Sequence, residues 1–489
     1  MASDPKSRVA ATAETVIATA ADLYQKGQLY IHSHDHAHPG AANAQRLQVE
    51  TRQQRGFSEL EASLPGSIEA LKAQKTGIVS TSSVLSTAGR LLGKASPRLS
   101  GIFDYLSGGT PKTRPVSDKD CVWLLDNVAY TTKPKHGTGT STSYAAEYVV
   151  AVMSQQPNCR VVDAVSAVAE KLGLDDGSDD NVTALQTIEE RIMPFLQEIL
   201  PGRQVRALHG DDWRLLFSPG GRNGLSSDVR DLPDSRPGAI VPTRAQVPRG
   251  ASGLLKMHTF FSAPGAGWGV ISDIDDTIKR TQTSDPIGIL ETTFVEEPTP
   301  IKGMPELYKH LKAALGGGAP FFYLSASPYN LYPFLRDFRE EHYPHGALVL
   351  RDATLMSVSG LLATLTLGTQ AYKVDRMSKI HGWLPAKTFI CIGDSTQSDP
   401  ESYGEIYRTF PGWVGLILIR KVTDIAALGM EEKNEPDRFE KAFEGVPRDK
   451  WHVFEDADEC YAIVDKVLGV APVSAPAKHT TVDDDNIAD

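Results

Sequence analysis

Cysteine is scarce in this chain: Cys121, Cys159, Cys391 and Cys460 are all it has among 489 residues. No two stand at C-x-x-C spacing, which argues against a thiolate metal pair and a disulfide framework. Free thiols in a reducing compartment are expected. An excess of basic charge is also missing. The net charge is −11, which gives no support to nucleic-acid binding. Long apolar runs are absent too. Nowhere do ~18 consecutive apolar residues occur, so no transmembrane segment is expected. Asp4, Glu14 and Asp22 interrupt the N-terminal stretch, and no signal-peptide core is expected there. These absences leave a cytoplasmic protein that meets a membrane, if at all, at its surface.

Hydrophobic content of 41% and charged content of 23% fit a globular chain. Domains run ~100–200 residues, so two or three are expected. Residues 1–117 read as a helical and polar N-terminal region. It includes an amphipathic piece around Leu91–Tyr105, with Arg90, Lys94 and Arg98, that is a candidate for membrane-surface contact. Residues 118–265 carry short β-branched and aromatic runs, "CVWLLDNVAYTT", "AAEYVVAVM", "QVRALHG", "WRLLFS" and "LLKMHTFFS". Turn clusters such as "SPGGRNG" separate several of them, which predicts a β-rich accessory domain. Helical patches are expected near 160–172 and 183–200.

From 266 to 469 the pattern changes. Apolar strands such as "GWGVIS", "PFFYLSAS", "TFICIGD" and "WVGLILIR" alternate with amphipathic helices. That alternation predicts an α/β fold with a parallel sheet and helices on both faces. Ligands in such sheets sit at the carboxyl ends of the strands. Residues 470–489 end in "TVDDDNIAD", and a disordered acidic tail is expected.

The chemistry collects at those strand ends. "VISDIDDT" brings Asp273, Asp275 and Asp276 together directly behind an apolar run. One Asp there would cap a helix starting near Thr277. Three make a divalent-cation site with a nucleophile the better reading, because hard cations take oxygen ligands and a cation removes the mutual repulsion. "FFYLSASP" ends a strand with Ser325 and Ser327, hydroxyls suited to a phosphate oxygen. "AYKVDRMSKI" offers Lys373 and Lys379, either of which can neutralise a phosphoryl group. "FICIGDSTQSD" ends a strand with Asp394, and Asp399 follows five residues later.

D-x-D-x-T, then Ser, then Lys, then G-D-x4-D resembles the four-part pattern of the haloacid-dehalogenase-like phosphohydrolases. The stretches "SDIDDTIK", "YLSASPYNLYPFL", "GALVLRD", "GDSTQSDPESY" and "LILIRKV" resemble the catalytic domain of the fungal actin-patch phosphatidate phosphatase family. The likeness covers about 265–465. It implies a haloacid-dehalogenase-like Rossmannoid sheet and a Mg²⁺-dependent phosphatidate phosphatase. Asp273 would be the nucleophile that forms an aspartyl-phosphate, and Asp275 the general acid and base. Mg²⁺ would be held by Asp273, the Asp275 carbonyl and Asp394, with Asp399 in support. Thr277, Ser325 and Lys373 would bind the phosphate. Asp276 has no assigned role. The partners implied are phosphatidate at a membrane surface and actin-patch or endocytic proteins, with no nucleic acid.

Two alternatives use the same residues: a phosphatase of a soluble phosphomonoester, and an interaction protein with a vestigial site. Roughly 45 residues separate the first two motifs, room for a flap but not for a large cap domain, so an open site is expected. The every-second-residue series His32, His34, His36 and His38 is read as an exposed linker rather than a metal centre.

Overall fold

The computed structural model describes residues 112–132, 143–157, 161–174, 179–221, 224–351, 369–425 and 430–471. The helical reading of 1–111, the amphipathic piece, the histidine series and the acidic tail lie outside the described residues.

Two sheets organise the chain. In the upstream sheet, β1 (Asp120–Leu124), β2 (Asn127–Thr132) and β3 (Ser143–Pro157) come first. Two helices follow, α1 (Val161–Leu172) and α2 (Asp179–Leu196). Then come β4 (Gln197–Ile199), β5 (Arg206–His209), β6 (Trp213–Leu216), β7 (Leu225–Leu232), β8 (Ile240–Gln246) and β9 (Lys256–Phe261). The order is β1-β3-β2-β9-β8-β5-β6, with β4 and β7 also paired to the long β3. The pairing is antiparallel except between β9 and β2. Residues alternate along these strands: Ala207 and His209 are buried, Arg206 is exposed and Leu208 half-buried. That is the signature of a sheet with one face inside and one outside. The inner face packs Tyr144, Tyr148, Phe217, Met257 and Phe261 into one cluster.

The downstream sheet has six strands, all parallel. They are β10 (Gly267–Asp273), β11 (Phe321–Pro328), β12 (Ala347–Arg351), β13 (Lys387–Asp394), β14 (Val414–Arg420) and β15 (Trp451–Phe454). Their order is β12-β11-β10-β13-β14-β15. The central strands are apolar and buried along most of their length because both faces are covered. Val270, Tyr323 and Ile390 face one set of helices, including α4 (Met304–Leu315) and α8 (Cys460–Leu468). Ile271, Phe322 and Cys391 face the other, including α6 (Thr369–Trp383) and α7 (Asp399–Thr409). The chain winds outward from β10 in one direction, then returns to β13 and winds in the other. The switch falls between β10 and β13, where an open α/β sheet places its ligand crevice.

Buried charge locks the two sheets together. Asp126, between β1 and β2, accepts from Arg339 Nη2 at 2.7 Å on α5 (Tyr332–His342). Its amide donates to the Tyr332 hydroxyl at 2.6 Å. Glu147 on β3 pairs with Lys379 on α6 at 2.5 Å, and Tyr130 stacks on Trp383 with ring centroids 5.7 Å apart. Cys121, Cys391 and Cys460 are buried free thiols. No described helix is long and apolar enough to cross a membrane.

Candidate active site

The chain after β10 turns sharply. Asp276 adopts a left-handed backbone with φ 60°, a conformation that Asp tolerates better than most residues. The turn aims its carboxylate at the oncoming loop. That carboxylate accepts the backbone N–H groups of Thr281, Gln282 and Thr283 at 2.9, 2.8 and 2.7 Å, and the Thr283 hydroxyl at 2.6 Å. Asp276 therefore organises this turn, a role the sequence left open. Burial and nearby Asp394 push its pKa up, while the bonds from Thr283 and Thr281 pull it back. No helix starts at Thr277. The next one is α3 (Pro286–Phe294), capped by Asp285.

The turn, three strand ends and two helices converge. Asp273 accepts from Lys373 Nζ at 2.6 Å and from the Thr277 hydroxyl at 3.1 Å. Lys373 also pairs with Asp399, whose second oxygen accepts the Asp394 amide at 3.1 Å. Gly393 makes that approach possible, since a Cβ there would lie 2.6 Å from Asp399. Thr277 lies 3.4 Å from Asp394, and Thr396 holds the other Asp394 oxygen. Asp275 has both oxygens held. Thr281 donates to one at 2.9 Å; Ser327, at 3.1 Å, and Ser325 donate to the other. The structure thus gathers Asp273, Asp275, Thr277, Ser325, Lys373, Asp394 and Asp399 into one cluster. Lys379, the alternative lysine, points instead at Glu147.

Three residues joined this site without being singled out. Thr281 and Thr396 carry no motif, and only their distance to a carboxylate reveals them. Lys279 is 1% exposed, and its ammonium donates to Thr281 Oγ1 at 2.9 Å. It stands 5.5 Å over the Phe334 ring. A Lys two positions beyond the D-x-D-x-T motif has no sequence mark of burial.

The electrostatics follow from burial. Every residue of the cluster is at most 2% exposed. Burial and then the Asp399 charge raise Asp273 well above the usual carboxylate range, against the pull of Lys373. Asp394 is pushed up to about 6 by burial and Asp399, with Lys373 and Thr396 opposing. Burial pushes the Lys373 ammonium down, but Asp273, Asp399 and Asp394 outweigh it and hold it above an ordinary lysine. One lysine does not neutralise this many buried carboxylates. Asp273, Asp394 and Asp399 each present an oxygen, all within 4.8 Å of one another. An all-oxygen donor set with excess negative charge fits a hard divalent cation.

The expected open site is not what these residues form. The flap helix α3 packs against both α1 and α2, and Arg191 of α2 donates to the Thr293 and Glu296 carbonyls at 3.3 and 2.6 Å. Thr292 of α3 donates to the Thr281 carbonyl at 2.9 Å, so the upstream helices brace the segment whose Thr281 holds Asp275, and no local pattern announces that contact.

Residues 268–421, which contain the whole cluster, match the family described as phosphatidate phosphatase APP1, catalytic domain. The phosphatidate phosphatase APP1 of Saccharomyces cerevisiae is 30% identical over 176 residues, 35% of this chain and 29% of that protein. An uncharacterized protein of Schizosaccharomyces pombe is 27% identical over 160 residues, 32% of this chain and 25% of that protein. The chain thus spans less than a third of the length of either relative. Within that span, the segment carrying the carboxylate cluster is similar to the catalytic domain of the APP1 phosphatidate phosphatase family.

Proposed function

We propose that this chain is a Mg²⁺-dependent phosphatidate phosphatase of the haloacid-dehalogenase-like type, releasing phosphate and diacylglycerol. The observation that carries the reading is the pair Asp273 and Asp275 at the switch point of a parallel sheet, with Lys373 2.6 Å from Asp273, inside a segment similar to an APP1 catalytic domain.

Asp273 attacks phosphorus, the P–O bond to the lipid breaks, and an aspartyl-phosphate forms. Asp275 gives its proton to the departing alkoxide. It then takes a proton from the water that attacks phosphorus, and phosphate leaves as Asp273 is freed. Thr281 and the two serines hold Asp275 in place before substrate arrives. Lys373 and Ser325 stabilise the non-bridging oxygens as charge builds there, and Thr277 supports the same group. Asp273, Asp394 and the Asp275 carbonyl would hold the cation, with Asp399 fixing Lys373 and the Asp394 amide. When bound, the cation screens charge on the transferring group.

A second reading, a soluble phosphomonoester as substrate, is favoured by one observation: the burial of the whole cluster. Phosphate release separates the two. Phosphatidate in mixed micelles and a panel of soluble phosphomonoesters are compared with and without Mg²⁺. A marked preference for phosphatidate is expected. Equal or better turnover of a soluble ester replaces the lipid reading, and no turnover of any phosphomonoester ends both.

A further inference from the structure

The outer face of β5, β6, β8 and β9 gathers charge of one sign across four strands. Register aligns Lys256, Arg244, Leu208 and Arg214 in one row across the four strands. A second row aligns Gln246, Arg206 and Leu216. Inner-face neighbours Ala207, Leu215, Thr243 and Met257 are buried, so these rows face outward. Arg206, Arg214, Arg244 and Lys256 are all exposed, and Leu216 is 49% exposed. Arg244 stands directly opposite Lys256. Like charges in that position destabilise a sheet. None of the four cations forms an ion pair among the described residues, whereas the buried cations Lys373, Lys379 and Arg339 all do. From Ile240 to His258 the chain has three basic residues and no carboxylate. The acids nearest in sequence, Asp211 and Asp212, occupy the turn between β5 and β6, and Asp126 and Glu340 lie beside His258, two residues along β9 from Lys256.

We propose that this face is a docking surface for an anionic lipid bilayer. Unpaired cations on a chain of net charge −11 mark a partner that is negative locally. The repulsion from acids elsewhere is screened within ~8 Å at physiological salt. Leucines between the cations suit a headgroup layer with acyl chains beneath it, since they gain nothing from a bare phosphate backbone. Four basic residues on neighbouring strands of one face can meet a surface together, which four along a single-strand edge do not. The surface deepens the lipid-phosphatase reading by supplying a way to the substrate's membrane. It is nevertheless tested on a lipid that is not the substrate and without turnover, so either idea can fail alone.

The full chain is sedimented with vesicles of phosphatidylcholine alone and of phosphatidylcholine mixed with phosphatidylserine. Binding is expected to the mixed vesicles only, falling as salt rises. Each basic residue near an anionic surface contributes about fivefold in partitioning, so Arg214→Gln with Arg244→Gln should lower it about 25-fold. The control pair Lys309→Gln and Lys312→Gln, exposed on α4, should leave it unchanged. Circular dichroism and thermal unfolding report that the variants are folded. Should the double variant not fold, the two single variants, each expected to lose about fivefold, take its place. Wild-type partitioning by the Arg214/Arg244 variant, an equal loss in the Lys309/Lys312 control, or preferential binding to duplex DNA at the same salt overturns the proposal.

Discussion

The two large sheets among the described residues handle charge in opposite ways. In the parallel sheet, charge sits at strand ends, is buried, and is matched bond by bond: Asp273 to Lys373 and Thr277, Asp275 to Thr281 and two serines. In the upstream sheet, Arg206, Arg214, Arg244 and Lys256 lie on the strand face, exposed and unpaired among the described residues. The difference follows from solvent. An unpaired charge costs little in water and several kcal/mol in an apolar interior. Buried charge must therefore be organised in advance, which suits chemistry on a small group. Exposed charge stays available for a large partner. Between the two stand interface pairs such as Glu147 with Lys379, buried yet far from the reacting cluster.

The sharpest break in that contrast is Asp273→Asn. Removing a nucleophile costs at least ~10⁴-fold in turnover, while circular dichroism should be unchanged. A folded variant with near-normal phosphate release would remove Asp273 from its role. Next in size is chelation. Excess EDTA should abolish turnover and Mg²⁺ should restore it, because Asp273 and Asp394 need a cation to lie close. Full activity in EDTA contradicts the cation site.

Lys379→Met should act on stability and leave the chemistry alone. It strands Glu147 at 8% exposure, a loss of about 3–5 kcal/mol in denaturant unfolding, while soluble-substrate KM stays as in wild type. Lys279→Met belongs to the other side of the comparison. It loosens Thr281 and hence Asp275, so turnover of an alkyl phosphate should fall about 10²-fold. An activated ester such as p-nitrophenyl phosphate, whose leaving group needs no proton, should fall far less. Equal losses on both substrates would make Lys279 a structural residue only.

The smallest effect is expected from His209 in the upstream core. Burial pulls its pKa down to about 4, below the unfolded value near 6.5. Above pH ~6.5 both states are neutral and nothing is lost. As pH falls toward 4 the unfolded chain binds the proton first, so stability declines, by about 2 kcal/mol at pH 5. Denaturant unfolding of wild type against His209→Gln across pH 5–7 checks this. A slope unaltered by the substitution assigns the acid sensitivity elsewhere.

Much of the fold was legible because it is written in local periods. "VISD", "YLSAS" and "FICIGD" are apolar runs that end in a polar group, and a run buried on both faces needs no partner to be recognised. The strands "QVRALHG" and "LLKMHTFFS" were visible for a similar reason. The choice between Lys373 and Lys379 was not legible. They are six residues apart on one helix, about 120° around its axis, and only packing sets which side meets the carboxylates. Asp276 was ambiguous in the same way, since its value lies in amides five to seven residues downstream.

The sequence by itself determined the parallel sheet, the placing of Asp273 and Asp394 at strand ends, and the oxygen-rich character of the cluster. All of these depend on residues near one another in the chain. Only the tertiary structure decided that the cluster is closed. Every residue of it is buried, and α3, the helix after its turn, is held by α1 and α2 about a hundred residues earlier, with Arg191 reaching Glu296 across 105 positions. It also decided that four basic residues, scattered from Arg206 to Lys256, share one outward face. Strand register created that face, and register is set by pairing between distant segments.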